Sequence, residues 1–150
     1  MLDRSFVGKV TQSRWVDVEK NQLRFFARAV GEKNPIYTDE AVAKAAGYRS
    51  LPAPPTFLFS LSLPLDKPLG RFVEAGFDLE TMLHGQQAFE YHRPICAGDH
   101  LLIETRVIDI FEKKNGALEF MIEQTTASDE NGSLLASMRL TMISNNRRQG

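Results

Sequence analysis

Apolar and polar positions change rhythm about halfway along the chain. In residues 18–30, VEKNQLRFFARAV, Val18, Phe25, Phe26, Ala29 and Val30 fall along one side with polar residues between them, which is a helical period. Asp17 offers an N-cap and Gly31 a stop. Residues 39–46, DEAVAKAA, are strong helix formers with the acids first, and Gly47 ends them. Next comes YRSLPAPPTFLFSLSLPL, where Pro52, Pro54 and Pro55 impose an extended approach. Pro55 suits the first turn of a helix, where its missing N–H costs nothing. The following TFLFSLSL is apolar nearly all round, so the predicted helix has no wet face and belongs at the buried centre of the fold. Pro64 ends or kinks it.

Beyond residue 82 the period becomes two. HGQQAFEYHRP, GDHLLIETRVIDIFEKKNG, ALEFMIEQTTASDENG and SLLASMRLTMIS read as strands. Asn115-Gly116 and Asn131-Gly132 supply hairpin turns between them. Leu118, Phe120, Ile122 and Gln124 alternate with Glu119, Met121, Glu123 and Thr125, giving two faces, one wetter than the other. An antiparallel meander follows, with a short strand near residues 6–12 added at an edge. Residues 64–81, holding Pro64, Pro68, Gly70 and Gly76, are the least regular stretch and read as a surface excursion or flap. The fold class is α+β: an antiparallel sheet wrapped around one apolar helix, as a single domain over 1–150.

Composition narrows the function classes. A hydrophobic fraction of 43%, a charged fraction of 25% and a net charge of −1 are ordinary for a globular chain and steer it toward neither nucleic acid nor an anionic membrane. The one basic cluster, Arg147-Arg148, reads as a solvated end. No apolar run reaches the ~18 residues of a membrane span. The start, MLDRSFVGKV, does not resemble a signal peptide, so a cytoplasmic location is expected. Cys96 is the only cysteine; lying between Ile95 and Ala97, it reads as a packing residue.

Two segments carry a family resemblance. GEKNPIY, residues 31–37, resembles the hydratase signature of the MaoC-like, (R)-specific enoyl-CoA hydratases, in words Gly-Asp-any-Asn-Pro-aliphatic-His. LPAPPTF and HGQQAFEYHRPICAGD are similar to the N-terminal branch of that family, with its fungal-synthase-type dehydratases and A-type hydroxyacyl dehydratase subunits. The resemblance runs from about Val18 through the last strand. It implies a hot dog fold, a sheet around a long central helix, paired as a homodimer or as a heterodimer with a MaoC-like subunit. It also implies a ligand class, an acyl group on CoA or acyl carrier protein, with no cofactor and no metal.

The chemistry implied is reversible hydration of a 2-enoyl thioester. Such a reaction needs a polarised thioester oxygen, a water placed at C3 and a group that moves protons. In the family the signature Asp and His share the last two tasks. Here Glu32 and Tyr37 stand at those positions, while Gly31, Asn34 and Pro35 match. Glu adds a methylene, and misplacement of about an ångström can cost ~100-fold. A phenol titrates near ~10, so Tyr37 suits a proton donor better than a base.

The candidate catalytic residues are therefore Glu32, Tyr37 and His84. His84 lies beside Gln86 and Gln87, while His92, eight residues on, is ~26 Å away along an extended strand. His100, after Gly98-Asp99, is expected at an exposed turn. The candidate substrate-binding residues are Asn34, Thr56, Phe57 and Arg93. Thr56 and Phe57 would offer free N–H groups at the start of the central helix. Arg93, like Arg71, could meet CoA phosphates. YHRP reads as a structural turn ending at Pro94. The alternative readings are a non-catalytic acyl-binding subunit and, as a third option, a thioesterase, a chemistry that this fold also hosts.

Overall fold

The structure, a computed structural model, describes residues 1–64 and 66–146; Arg147-Arg148 lies outside them. A single 3-10 turn at Arg4–Phe6 leads into β1 (Val10–Asp17) and α1 (Lys20–Ala29). A second 3-10 turn, Pro35–Tyr37, joins α1 to α2 (Glu40–Ala45). Two five-residue helices follow, α3 (Phe57–Leu61) and α4 (Gly70–Glu74). The strands β2 (Met82–Tyr91), β3 (His100–Lys113), β4 (Leu118–Ser128) and β5 (Leu134–Asn145) complete the chain. They form one five-stranded sheet in the order β1-β3-β4-β5-β2, with every neighbouring pair antiparallel. This is the hot dog arrangement.

The central helix differs from its expectation in length. It is not a long rod but five residues, because Pro64 has no N–H to give and disfavours helical geometry at Leu63. Phe57, Leu58 and Leu61 are buried, Phe59 is half-buried and Ser60 is exposed, so the helix has one wet corner. Its last carbonyls are capped from outside. Arg14 of β1 donates through Nη2 to the carbonyls of Leu61 (2.6 Å) and Leu63 (2.9 Å). The Ser62 hydroxyl donates to Phe59 O (2.7 Å).

The concave face of the sheet is covered twice. Phe57, Leu58 and Leu61 of α3 pack with Leu23 of α1, Ala43 of α2, and Ile103, Ala127, Ala136 and Met138 of the sheet. A second cluster holds Leu2, Phe72, Ala75 and Phe77 against Val107, Ile110, Met121, Leu140 and Met142. Residues 70–77 are therefore core rather than an excursion, and the pattern Phe72, Ala75, Phe77 is what marks them.

The faces of β4 are inverted relative to their polarity. Glu119, Met121, Glu123, Thr125 and Ala127 are buried, whereas Leu118, Phe120, Ile122 and Gln124 are half-buried on the outer face. The wetter face points inward because each polar group there has a partner. Glu119 accepts from the Leu2 N–H (2.9 Å) and the Asn146 side-chain amide (2.8 Å). Thr105 and Thr125 share a hydroxyl bond of 2.9 Å. Glu123 accepts from Arg71 Nε through both oxygens, at 2.9 and 3.0 Å, and Arg71 also donates to Pro68 O. Burial pushes the Glu123 carboxyl up and Arg71 pulls it back. Arg71 is thus a core residue and not a phosphate contact.

The predicted hairpins are present in local detail. Lys114, Asn115 and Gly116 turn between β3 and β4 with φ of 55°, 53° and 78°. Asp129 closes the β4–β5 loop by accepting from the Asn131 and Ser133 amides (3.0 and 2.9 Å). No helix of the described residues is long and apolar enough to cross a membrane.

Two outcomes follow. With both side chains of the pair buried, Arg71→Met should cost about 3–5 kcal/mol in urea unfolding, and adding Glu123→Leu should restore most of it. Lys20 and Lys44 of α1 and α2, with the Ser50 hydroxyl, lower Glu40 from 4.5 to about 2. A depressed carboxylate stabilises the fold above its unfolded value, and the effect is lost as pH falls through its folded value. The difference in melting temperature between wild type and Glu40→Gln should therefore hold steady above pH 4.5 and shrink toward pH 2.

Candidate active site

The loop between α1 and α2 is built from caps. Gly31, at φ 73°, ends α1 in the left-handed region. The Glu32 N–H donates back to Ala27 O (2.9 Å), while the Glu32 carboxylate accepts from the Asn34 N–H (2.8 Å). The Asn34 side-chain oxygen accepts from the Ile36 N–H (3.2 Å) and so caps the 3-10 turn that contains Tyr37. Asp39 caps α2 through the Ala41 and Val42 amides. Arg24 of α1 donates to Thr38 O (3.0 Å), and Lys20 pairs with Glu40. Glu32 and Asn34 are exposed, and each uses one side-chain oxygen to cap the loop. Tyr37 is half-buried, and its ring faces the rest of the molecule.

That ring lines a pocket of about 270 Å³. Its walls are Pro52–Pro55 ahead of α3, Leu58 of α3, Tyr48 after α2, and Tyr91 to Ile95 at the end of β2. Two carbonyl bridges hold these walls together: Ala53 N–H donates to Ile95 O (2.7 Å) and Ala97 N–H to Leu51 O (2.8 Å). The Ile95-to-Asp99 turn is fixed by Asp99, which accepts from the Cys96 N–H (2.9 Å) and pairs with Arg49. Cys96 is buried, and burial pushes its thiol up, consistent with packing.

The pocket joins some predicted residues and separates others. Tyr37 and Arg93 both line it. Arg93 donates to Asp129 Oδ2 (2.7 Å), so its charge is already met. Glu32 and Asn34 serve the loop. His84 is exposed on β2, opposite Met142, with its ring 6.1 Å from that of Phe59, and it is not among the residues lining the pocket. The Phe57 ring packs edge-on against Phe26 in the core, 5.2 Å between centroids. The Phe57 amide donates to Pro54 O (2.9 Å) and that of Phe59 to Thr56 O (3.1 Å), so Phe57 does not offer the free donor expected of it. Thr56 is exposed at the N-cap, without a side-chain cap bond.

Tyr48 and Tyr91 line the same pocket without having been singled out by the sequence, and His92, set apart there for its distance from His84, lines it while His84 does not. The signal available was YHRP, whose residues beside Pro94 must leave the sheet. The chemistry of the pocket is that of neutral phenols. Desolvation raises Tyr37, and the nearby Glu32 and Tyr48 add to it. Desolvation pushes Tyr91 up to about 12. Both are hydrogen-bond donors rather than bases through the neutral range. No cluster of metal-ligating side chains occurs among the described residues.

A larger neighbouring cleft, about 490 Å³, shares Tyr48, Arg93 and Pro94 with the pocket. Its basic groups are already matched, Arg49 by Asp99 and Arg93 by Asp129, with Glu130 beside them. It is therefore a weak trap for phosphate, and the smaller pocket, with its prolines, Leu58 and Ile95, is the better fit for an apolar group.

Residues 5–138 match the family described as FAS1-like, dehydratase domain region. A UPF0336 protein of Parafrankia sp. (strain EAN1pec) is 34% identical over 149 residues, covering 95% of this chain and 94% of that protein. Among solved structures, a MaoC-like dehydratase superposes with a TM-score of 0.83 at 26% identity, covering 97% of this chain and 44% of that one. The Mycobacterium tuberculosis HadBC (3R-hydroxyacyl-ACP dehydratase) complex gives a TM-score of 0.79 at 23% identity, covering 93% and 97%, a likeness of fold. The chain belongs to the FAS1-like dehydratase-domain family, built on the hot dog fold of the MaoC-like dehydratases.

Proposed function

We propose that this chain is a hydro-lyase acting on 3-hydroxyacyl and 2-enoyl thioesters of CoA or acyl carrier protein, with residues 1–150 acting as one cytoplasmic hot dog domain of the N-terminal, fungal-synthase-type branch. The observation that carries the reading is the 270 Å³ pocket between the signature loop, the proline-rich approach to α3 and the end of β2, with Tyr37 in its wall. Its apolar lining of prolines, Leu58 and Ile95 suits an acyl chain. A neutral Tyr37 suits a donor to the thioester carbonyl, where negative charge develops as water adds at C3. Family membership supports the reaction class, and HadBC, a neighbour in fold, acts as a complex on 3R-hydroxyacyl-ACP.

A second reading has its own support. The Glu32 carboxylate accepts from its own loop and does not line the pocket, and Tyr37 is held as a phenol, so the residues at the signature positions bring no base to the pocket wall. A non-catalytic acyl-binding subunit, paired with a MaoC-like chain that carries Asp and His, accommodates this. The thioesterase option gains nothing from the geometry.

Crotonyl-CoA decides between them. The hydro-lyase reading expects loss of enoyl absorbance with the purified chain, and Tyr37→Phe should lower kcat about 100-fold or more, the cost of removing one donor to a developing oxyanion. Binding with turnover only after a MaoC-like partner is added would favour the subunit. Release of free thiol would identify a thioesterase instead.

A further inference from the structure

We propose that His92, with Glu90 behind it, is the proton-carrying group of the Tyr37 pocket, standing in for the histidine that the signature loop lacks. This inference rests on the thioester reading above. The pocket is lined by three phenols, one guanidinium and one imidazole, and the imidazole is His92. Burial holds Tyr37 and Tyr91 as donors and Arg93 is bound to Asp129, and among the lining side chains His92 is the one suited both to take and to return a proton.

The backbone that carries His92 is fixed on two sides. The His92 and Arg93 amides both donate to the Leu135 carbonyl, at 2.8 and 3.1 Å, where β2 leaves the sheet. Pro94 then restricts Arg93 to extended geometry. The chain at His92 is therefore held to β5 from one side and to a proline from the other. Glu90 Oε1 lies 3.9 Å from His92 Nε2, too far for a direct hydrogen bond. Because Glu90 is 72% exposed, it orients and weakly stabilises the ring rather than locking it. With Glu90 on the Nε2 side, Nδ1 is the nitrogen left for the pocket. The charged and titratable groups around the ring are Glu90, Arg93, Tyr37, Tyr48 and Tyr91.

The step balances without a co-reactant. Water oxygen bonds to C3 as the C2–C3 π pair moves toward the thioester oxygen. The proton released by water passes to Nδ1 of neutral His92. The enolate then reforms the carbonyl and takes a proton at C2 from the imidazolium, so the ring ends neutral. Tyr37 donates to the thioester oxygen throughout. Nothing is oxidised or reduced, and elimination runs the same path backward.

The test compares wild type, His92→Gln and Glu90→Gln by crotonyl-CoA hydration, with binding of the unreactive analogue butyryl-CoA followed by calorimetry. The folded state of each variant is checked by circular dichroism. His92→Gln should lower kcat by about 100-fold or more with KM changed less than about 3-fold. It should also abolish the limb of the pH–rate profile that lies in the imidazole range. Glu90→Gln should lower kcat by less than about 10-fold. Butyryl-CoA bound without turnover would overturn the assignment and leave the acyl-binding subunit standing. Turnover that survives His92→Gln, or a larger loss in His84→Gln, would also overturn it. Absence of both binding and turnover would remove the thioester reading itself.

Discussion

A helix of five residues buried against a sheet cannot satisfy its own ends, and α3 is held at its last carbonyls by a side chain from the sheet. Arg14 reaches from the edge strand β1 to the carbonyls of Leu61 and Leu63 and replaces the water that those groups would otherwise need. The bond joins the rod to the sheet at the C-terminal end. The opposite end is set by prolines, whose Ala53–Ile95 and Leu51–Ala97 bridges tie the approach to the turn after β2. Between these two anchorages lie Leu58 and the pocket. The position of the site is thus a by-product of how a short buried helix meets its hydrogen-bond requirements.

The signature loop shows the same economy. Glu32 and Asn34 look like reacting groups in a linear reading, yet in space each closes a turn. Their work is to aim the 3-10 turn that presents Tyr37, while Arg24 and the Lys20–Glu40 pair fasten the loop to α1. The loop acts as a mount, and the side chain it presents to the pocket is a phenol. On the opposite wall, an imidazole from the end of β2 faces the same space.

Much of the fold was legible because it is written in local signals. Asp39 before α2, Gly31 and Gly47 after their helices, and the Asn-Gly turns all behave as their chemistry dictates. The start of α1 was displaced by two residues, from Asp17 to Glu19, since Asp17 is still paired in β1. The shortness of α3 follows from Pro64, which the sequence shows, whereas the burial of α4 depends on a long-range partner, Glu123 for Arg71, that no local signal records. The site was legible only in part. Tyr37 is marked by a motif, whereas Tyr48, Tyr91 and His92 meet it through tertiary closure, and no spacing along the chain records that meeting.

The inverted strand β4 has a consequence for how the chain avoids error. Shifting β4 by one residue against its neighbours would carry Leu118, Phe120 and Ile122 inward and expel both glutamates, an exchange that greasiness alone would reward. What forbids it is a set of three keys, Leu2 with Glu119, Arg71 with Glu123, and Thr105 with Thr125, each of which fits one alignment. Fidelity of alignment in this sheet is thus kept by a few directional contacts against the pull of its oiliest residues. Erasing the keys would leave a protein able to settle, compactly, one notch out of place.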